Sequence, residues 1–143
     1  MVAVPSLDTS IVEVGSEEHP DKNVRTAKSG DKDALREKEI LQKESHLILS
    51  KISEKDYIIS WDKRGQNINS EDFSAFFAKS IETKKEIIFI VGGSFGLSED
   101  ILNKSNLILS ASLLTFPHRL FRLILMEQIY RAYTIINKKP YHK

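Results

Sequence analysis

Apolar residues along the chain follow two rhythms, and their alternation predicts the architecture. Ile87-Ile-Phe-Ile-Val91 is an unbroken, mostly β-branched run, the pattern of a strand buried on both faces. It opens directly onto Gly92, Gly93 and Gly96, where the backbone is free to take positive φ or to let a ligand come close. Asp56–Trp61 and Leu107–Ala111 read as further strands, and Ile11–Val14 as a short one. Between these runs the apolar positions change to helical spacing. Ala34, Leu41, Ile48 and Ile52 predict a helix from Asp31 or Asp33 to about Ser50. Phe73, Phe76, Phe77 and Ile81 share one face of a second helix, with Ser70 as its expected N-cap and Lys84 and Lys85 at its end. Ser98-Glu-Asp caps a short third helix, and Pro117 is placed to begin a fourth. The fourth carries Leu120, Leu123, Ile124, Ile129 and Tyr133, apolar on more than one face, which suits burial on several sides or contact with another subunit. Gly15–Gly30 reads as a long polar loop and Asp62-Lys-Arg-Gly65 as a turn. Strands alternating with helices in this way predict an α/β fold with a parallel sheet.

Composition narrows the class without naming a function. The 143 residues, 41% hydrophobic and 29% charged, suit one domain over 1–143 with a real core. The absence of cysteine excludes disulfides, thiolate metal sites and cysteine nucleophiles. No apolar run approaches the roughly 20 residues of a membrane span, and the N-terminus lacks signal-peptide features, so a cytoplasmic protein without a membrane partner is expected. The net charge of +1 is unevenly spread. Residues 1–83 hold 12 Lys and Arg against 16 Asp and Glu, whereas residues 84–143 hold 9 against 4. A basic C-terminal part ending in Lys138, Lys139 and Lys143 suits a polyanion such as RNA, or is a plain solvated surface.

The common catalytic signatures are missing. No Walker lysine follows the glycines, and there is neither a Gly-x-Ser-x-Gly elbow nor a His-Glu-x-x-His. His46 lies beside the first helix's apolar stripe with no second histidine or carboxylate at ligand spacing, so no metal is expected. Two loops remain, Gly92–Gly96 and Ser112–Pro117, each following a predicted strand. They either make tight strand-to-helix turns or offer backbone N–H and C=O groups to a flat heterocycle such as adenine.

Val91-Gly-Gly-Ser-Phe-Gly-Leu, Leu-Ser-Ala-Ser-Leu-Leu-Thr-Phe-Pro-His118, Glu127-Gln-Ile-Tyr-Arg131-Ala and the terminal Pro-Tyr-His-Lys143 resemble the RlmH family of SPOUT-type methyltransferases, in matching order and spacing. Tyr-Ile-Ile-Ser-Trp-Asp-Lys-Arg-Gly matches the family's preceding strand and turn. The resemblance implies a SPOUT α/β fold with a C-terminal trefoil knot spanning about residues 87–143, and a homodimer packed through that region. It implies S-adenosylmethionine as cofactor and N3 of a pseudouridine in 23S ribosomal RNA, within the assembled ribosome, as the acceptor. Carried over by position, the cofactor contacts are Trp61 (family members usually have Leu there), Gly92, Gly93 and Gly96, with Ser112, Leu113, Leu114, Thr115, Phe116 and Pro117 from the second loop. His142, beside Tyr141, is the leading candidate for positioning the substrate and removing its proton. His118, Arg122, Arg131 and Lys143 are candidates for contacting RNA, although Arg131 with Glu127 can also be a helix ion pair.

The N-terminal residues 1–32 depart from that pattern: the first ten do not match the family's opening strand, and the polar stretch 15–32 is longer than expected. This keeps open a binding-only descendant that holds RNA or cofactor as a dimer without turnover. A generic phosphate-binding α/β domain is a third reading, but it leaves the second loop and the tail without a role.

Overall fold

A computed structural model describes residues 9–13, 30–83, 85–93 and 95–143. Four parallel strands, β1 (Thr9–Glu13), β2 (Tyr57–Asn67), β3 (Ile87–Val91) and β4 (Leu107–Ser110), lie in the order β1-β3-β2-β4. Helices α1 (Gly30–Leu49), α2 (Ser70–Glu82), α3 (Glu99–Lys104) and α4 (His118–Ile136) connect or follow them. The long loop expected over Gly15–Gly30 falls outside the described residues, except Gly30, which starts α1.

Strand pleating sorts the core into two layers. Ile87, Phe89 and Val91 of β3 face one side and pack with Ile59, Trp61, Phe73, Phe77 and Leu125, beneath α2 and α4. Ile88 and Ile90 face the other and pack with Ile48, Leu97 and Ile101, beneath α1 and α3. All five residues of β3 are buried, which accounts for the unbroken apolar run. Each such side chain removed from water contributes on the order of 1.5–3 kcal/mol.

Element boundaries differ from expectation where polar side chains decide them. Asn69, not Ser70, caps α2: its side chain accepts the Asp72 backbone N–H at 2.7 Å, and the Ser70 hydroxyl instead donates to Gln128 Oε1 at 2.7 Å. Ser98 caps α3 and Pro117 precedes α4, as predicted. The strand expected at Ile11–Val14 pairs as Thr9–Glu13 along β3, and β4 ends one residue earlier, at Ser110. The largest difference lies in β2, which runs on to Asn67 instead of stopping at Trp61. Pairing with β4 breaks after Trp61↔Leu109 and resumes at Gln66↔Leu109, so the polar segment 62–65 bulges out between two paired stretches. Gly65 is required there: a Cβ on it would lie 2.4 Å from the Leu109 backbone carbon. The bulge brings Asp62 and Arg64 beside the glycine turn that follows β3.

Candidate active site

With every strand parallel, β2, β3 and β4 present their C-terminal ends at one edge of the sheet, the usual place for a ligand in such folds. A cavity of about 250 Å³ opens there. Its walls come from Trp61 at the β2 break, Val91 at the end of β3, Ser110 at the end of β4 and Phe121 of α4. Gly92, Gly93 and Gly96 form one rim, and Ser112, Leu114, Thr115 and Phe116 form the other. Eight of the ten cofactor residues expected from the sequence therefore converge. Leu113 and Pro117 do not line the cavity: Leu113 is 92% exposed, and Pro117 serves as the N-cap position of α4. Asp62, Lys63, Ala111 and Phe121 line it without having been singled out.

The two rims are built differently. The glycine turn closes on itself through Gly96 N–H donating to Gly93 C=O at 3.0 Å, with Gly96 at φ +78°. A Cβ on Gly96 would lie 2.9 Å from Asp62 Oδ2, so the position demands glycine both conformationally and sterically. Behind Gly93 stands Glu44 of α1, whose carboxyl would lie 3.4 Å from a Cβ there and whose pKa burial pushes up. The second rim is an exposed loop held by the Leu114 N–H donating to Ser112 Oγ at 3.0 Å. Ala111, Leu113, Leu114, Thr115 and Phe116 of this rim are all exposed.

One buried carboxylate fixes the glycine rim. Asp62 accepts from Arg64 Nε at 2.8 Å, the Arg64 backbone N–H at 2.9 Å and the Leu97 backbone N–H at 2.8 Å, with a side chain that has no solvent exposure. Arg64 also donates to the Leu97 carbonyl and reaches Glu99 at 2.6 Å. Burial by itself would raise the Asp62 pKa; hydrogen bonds from Arg64 and Leu97, with the guanidinium charge, outweigh it and hold the pKa at about 2.

Next to this cavity lies another of about 390 Å³, sharing Trp61, Ser110, Ala111 and Phe121 and closed by Asn69, Ser70, Glu71 and Gln128. The C-terminal tail docks at its rim. His142 Nε2 meets Glu71 Oε1 at 2.8 Å and its Nδ1 meets Arg131 Nη1 at 3.2 Å. A guanidinium can only donate, so Nδ1 accepts and Nε2 carries the hydrogen that points at Glu71. The hydrogen bond from His142 holds Glu71's pKa below its ordinary value. Arg131 makes two hydrogen bonds to Glu127, at 2.6 and 3.0 Å, and stacks 5.0 Å from the Tyr141 ring. The Tyr141 hydroxyl donates to Glu127 at 3.2 Å. Arg131, proposed for RNA, thus anchors the tail, whereas Arg122 on α4 and the terminal Lys143 are exposed. His118 opens α4, one turn before Arg122. Among the described residues, no group of three or more His, Cys, Asp or Glu side chains is arranged to hold a metal ion, and no helix is long and apolar enough to cross a membrane.

Residues 5–142 match the family described as Predicted SPOUT methyltransferase. The chain is 38% identical over 140 residues to Ribosomal RNA large subunit methyltransferase H of Carboxydothermus hydrogenoformans, covering 97% of this chain and 82% of that protein. It is 43% and 42% identical over 135 residues to the proteins of the same name from Clostridium botulinum (strain Alaska E43 / Type E3) and Clostridium tetani. Each of those matches covers 94% of this chain and 79% of the relative.

Proposed function

Because the chain belongs to the SPOUT methyltransferase family, we propose that it methylates large-subunit ribosomal RNA, moving a methyl group from S-adenosylmethionine to N3 of a pseudouridine in the assembled ribosome. The observation that carries this reading is the cavity at the ends of β2, β3 and β4, where a glycine turn faces the exposed Ser112–Phe116 loop. The residues there fit the cofactor. Glycines keep one rim free of side chains, the opposite rim offers backbone groups to an adenine edge, and Trp61, Val91 and Phe121 supply apolar walls.

Bound S-adenosylmethionine supplies an electrophilic sulfonium methyl, so the protein's tasks are positioning and proton management. The Asp62–Arg64 pair holds the end of the glycine turn through the Leu97 N–H and carbonyl. Apolar walls exclude water from the reacting atoms. The acceptor nitrogen carries a proton at neutral pH and must release it to solvent at the mouth of the site for its bond to the methyl carbon to form. His142 serves here as a positioning residue: both ring nitrogens are engaged, by Glu71 and Arg131, and Nδ1 takes a proton only after Arg131 is displaced. Arg122 and Lys143, both exposed, supply cationic contacts to the RNA backbone, whereas the His118 Nε2 is buried and shapes the start of α4.

A second copy of the chain completes the enzyme in this reading. Leu120, Leu123, Met126 and Tyr130 are exposed along α4, between 46% and 65%, an apolar stripe that a dimer would cover. The knotted threading and a cytoplasmic location belong to the same proposal. Its test is transfer of labelled methyl from S-adenosylmethionine to ribosomes that lack this modification. Transfer is expected from the wild-type chain. Cofactor binding by calorimetry without any transfer would leave a binding protein in its place.

A further inference from the structure

We propose that the second cavity, closed by Asn69, Ser70, Glu71 and Gln128, receives the base to be methylated, a uracil-type heterocycle turned out of the RNA stack. The inference rests on the functional reading above and assigns its acceptor subsite. Methyl transfer needs donor carbon and acceptor nitrogen within about 3–3.5 Å, so the two ligands must share a wall rather than sit at opposite ends of the fold. The two cavities do so, through Trp61, Ser110, Ala111 and Phe121. The second, at about 390 Å³, has the size of a ligand pocket.

Its lining has the chemistry of a pyrimidine reader. Trp61, Phe73 and Phe121 give aromatic surface against which a flat ring packs, and base recovery from a stack relies on such surfaces. Around them stand amide and hydroxyl groups able to meet alternating carbonyls and ring N–H groups. The Asn69 carbonyl is already taken by the Asp72 N–H at 2.7 Å, which leaves the Asn69 amide N–H groups for a base carbonyl. Gln128 accepts the Ser70 hydroxyl and gives one N–H to Glu127 at 2.8 Å, keeping its other N–H. Glu71, ionised and held by His142, is an acceptor for a ring N–H at the rim.

Trp61 adds an independent observation. The residue is 8% exposed, and its indole N–H is buried without a hydrogen-bond partner. A buried donor left unpaired costs on the order of 1–3 kcal/mol, which an acceptor brought within its reach would recover. The tail points the same way. Tyr141 and His142 line neither cavity, but His142 meets Glu71, which lines the second and not the first.

Two substitutions test the assignment. Asn69→Asp keeps a cap acceptor for α2 but removes the amide N–H groups, and Gln128→Met keeps the side-chain length without its polar atoms. For each variant, kcat and KM for labelled methyl transfer to ribosomes are measured beside S-adenosylmethionine affinity by calorimetry. The expected result is a loss of about tenfold or more in kcat/KM for ribosomes, with cofactor Kd within about twofold of wild type. Cofactor affinity falling in step with transfer would overturn the proposal, because the cavity would then hold part of the cofactor. Unchanged transfer in both variants would overturn it as well. Wild-type chain that binds cofactor yet methylates no ribosome would overturn the functional reading itself, and the subsite with it.

Discussion

The Asp62 carboxylate accepts the backbone N–H of Leu97 at 2.8 Å, across thirty-five residues of sequence. That bond ties the β2 bulge to the glycine turn, so Asp62→Ala should damage stability and cofactor binding together. Leu97 N–H and Arg64 would lose their buried acceptor, at a cost of about 3 kcal/mol. Urea denaturation measures the first effect and calorimetry with S-adenosylmethionine the second. A variant with wild-type stability would show that water replaces the carboxylate.

Acid should weaken the same tie in a defined window. The Asp62 pKa is lowered from 3.8 to about 2 in the fold, so its stabilisation is complete above the unfolded value and is lost as pH falls toward 2. A difference of that size is worth roughly 2 kcal/mol at neutral pH. Stability of wild type followed from pH 5 to pH 2 should therefore drop more steeply than that of Asp62→Asn. Parallel curves would contradict the assignment.

Two glycines should fail in different ways when a methyl group is added. Gly65→Ala drives a Cβ to 2.4 Å from the Leu109 backbone, so β2 and β4 must part. The expected outcome is a fall in Tm of several degrees or insoluble protein, for a cost of about 2 kcal/mol or more. Gly96→Ala forces φ +78° on an L-residue against Asp62, which distorts the cofactor rim. Its clearest sign should be at least about tenfold weaker S-adenosylmethionine binding in a chain that still folds.

His142→Ala should cut ribosome methylation strongly while scarcely moving Tm. The hydrogen bond it loses joins Glu71, whose side chain is largely exposed, so little stability goes with it. Undiminished transfer would remove His142 from the mechanism.

The apolar stripe on α4 makes a prediction about assembly. Leu123 is 65% and Met126 55% exposed, so Leu123→Asp with Met126→Asp should leave the fold intact and convert a dimer to a monomer in sedimentation. A wild-type chain that already sediments as a monomer would refute the dimer.

How much of this was legible beforehand depends on how local each determinant is. Ile87–Val91 and its glycines declared themselves, because burial on both faces leaves no polar position in a strand. Ser98 and Pro117 marked helix starts correctly because each acts on its own first turn. Asn69 and Ser70 are neighbours and equally able to cap. What separated them was Gln128, fifty-eight residues beyond Ser70, which claims the serine hydroxyl. Asp62 and Arg64 looked like a solvated turn, since nothing in Asp-Lys-Arg-Gly announces that Leu97 will need an acceptor. An acid two residues before an arginine at a strand end, followed by glycine, was the available signal. The second cavity had no local signature at all: its polar residues come from the start of α2 and the middle of α4, and only packing of those helices brings them together.

Trp61 is the chain's sole tryptophan, and it lines both cavities. The protein therefore carries its own optical probe. Indole emission comes from one place, in contact with the methyl-donor cavity on one side and the proposed base cavity on the other. Titrating cofactor and then nucleoside should perturb the same fluorophore twice, without any label. Trp61→Phe should erase both signals, which makes order and affinity of binding readable from light alone.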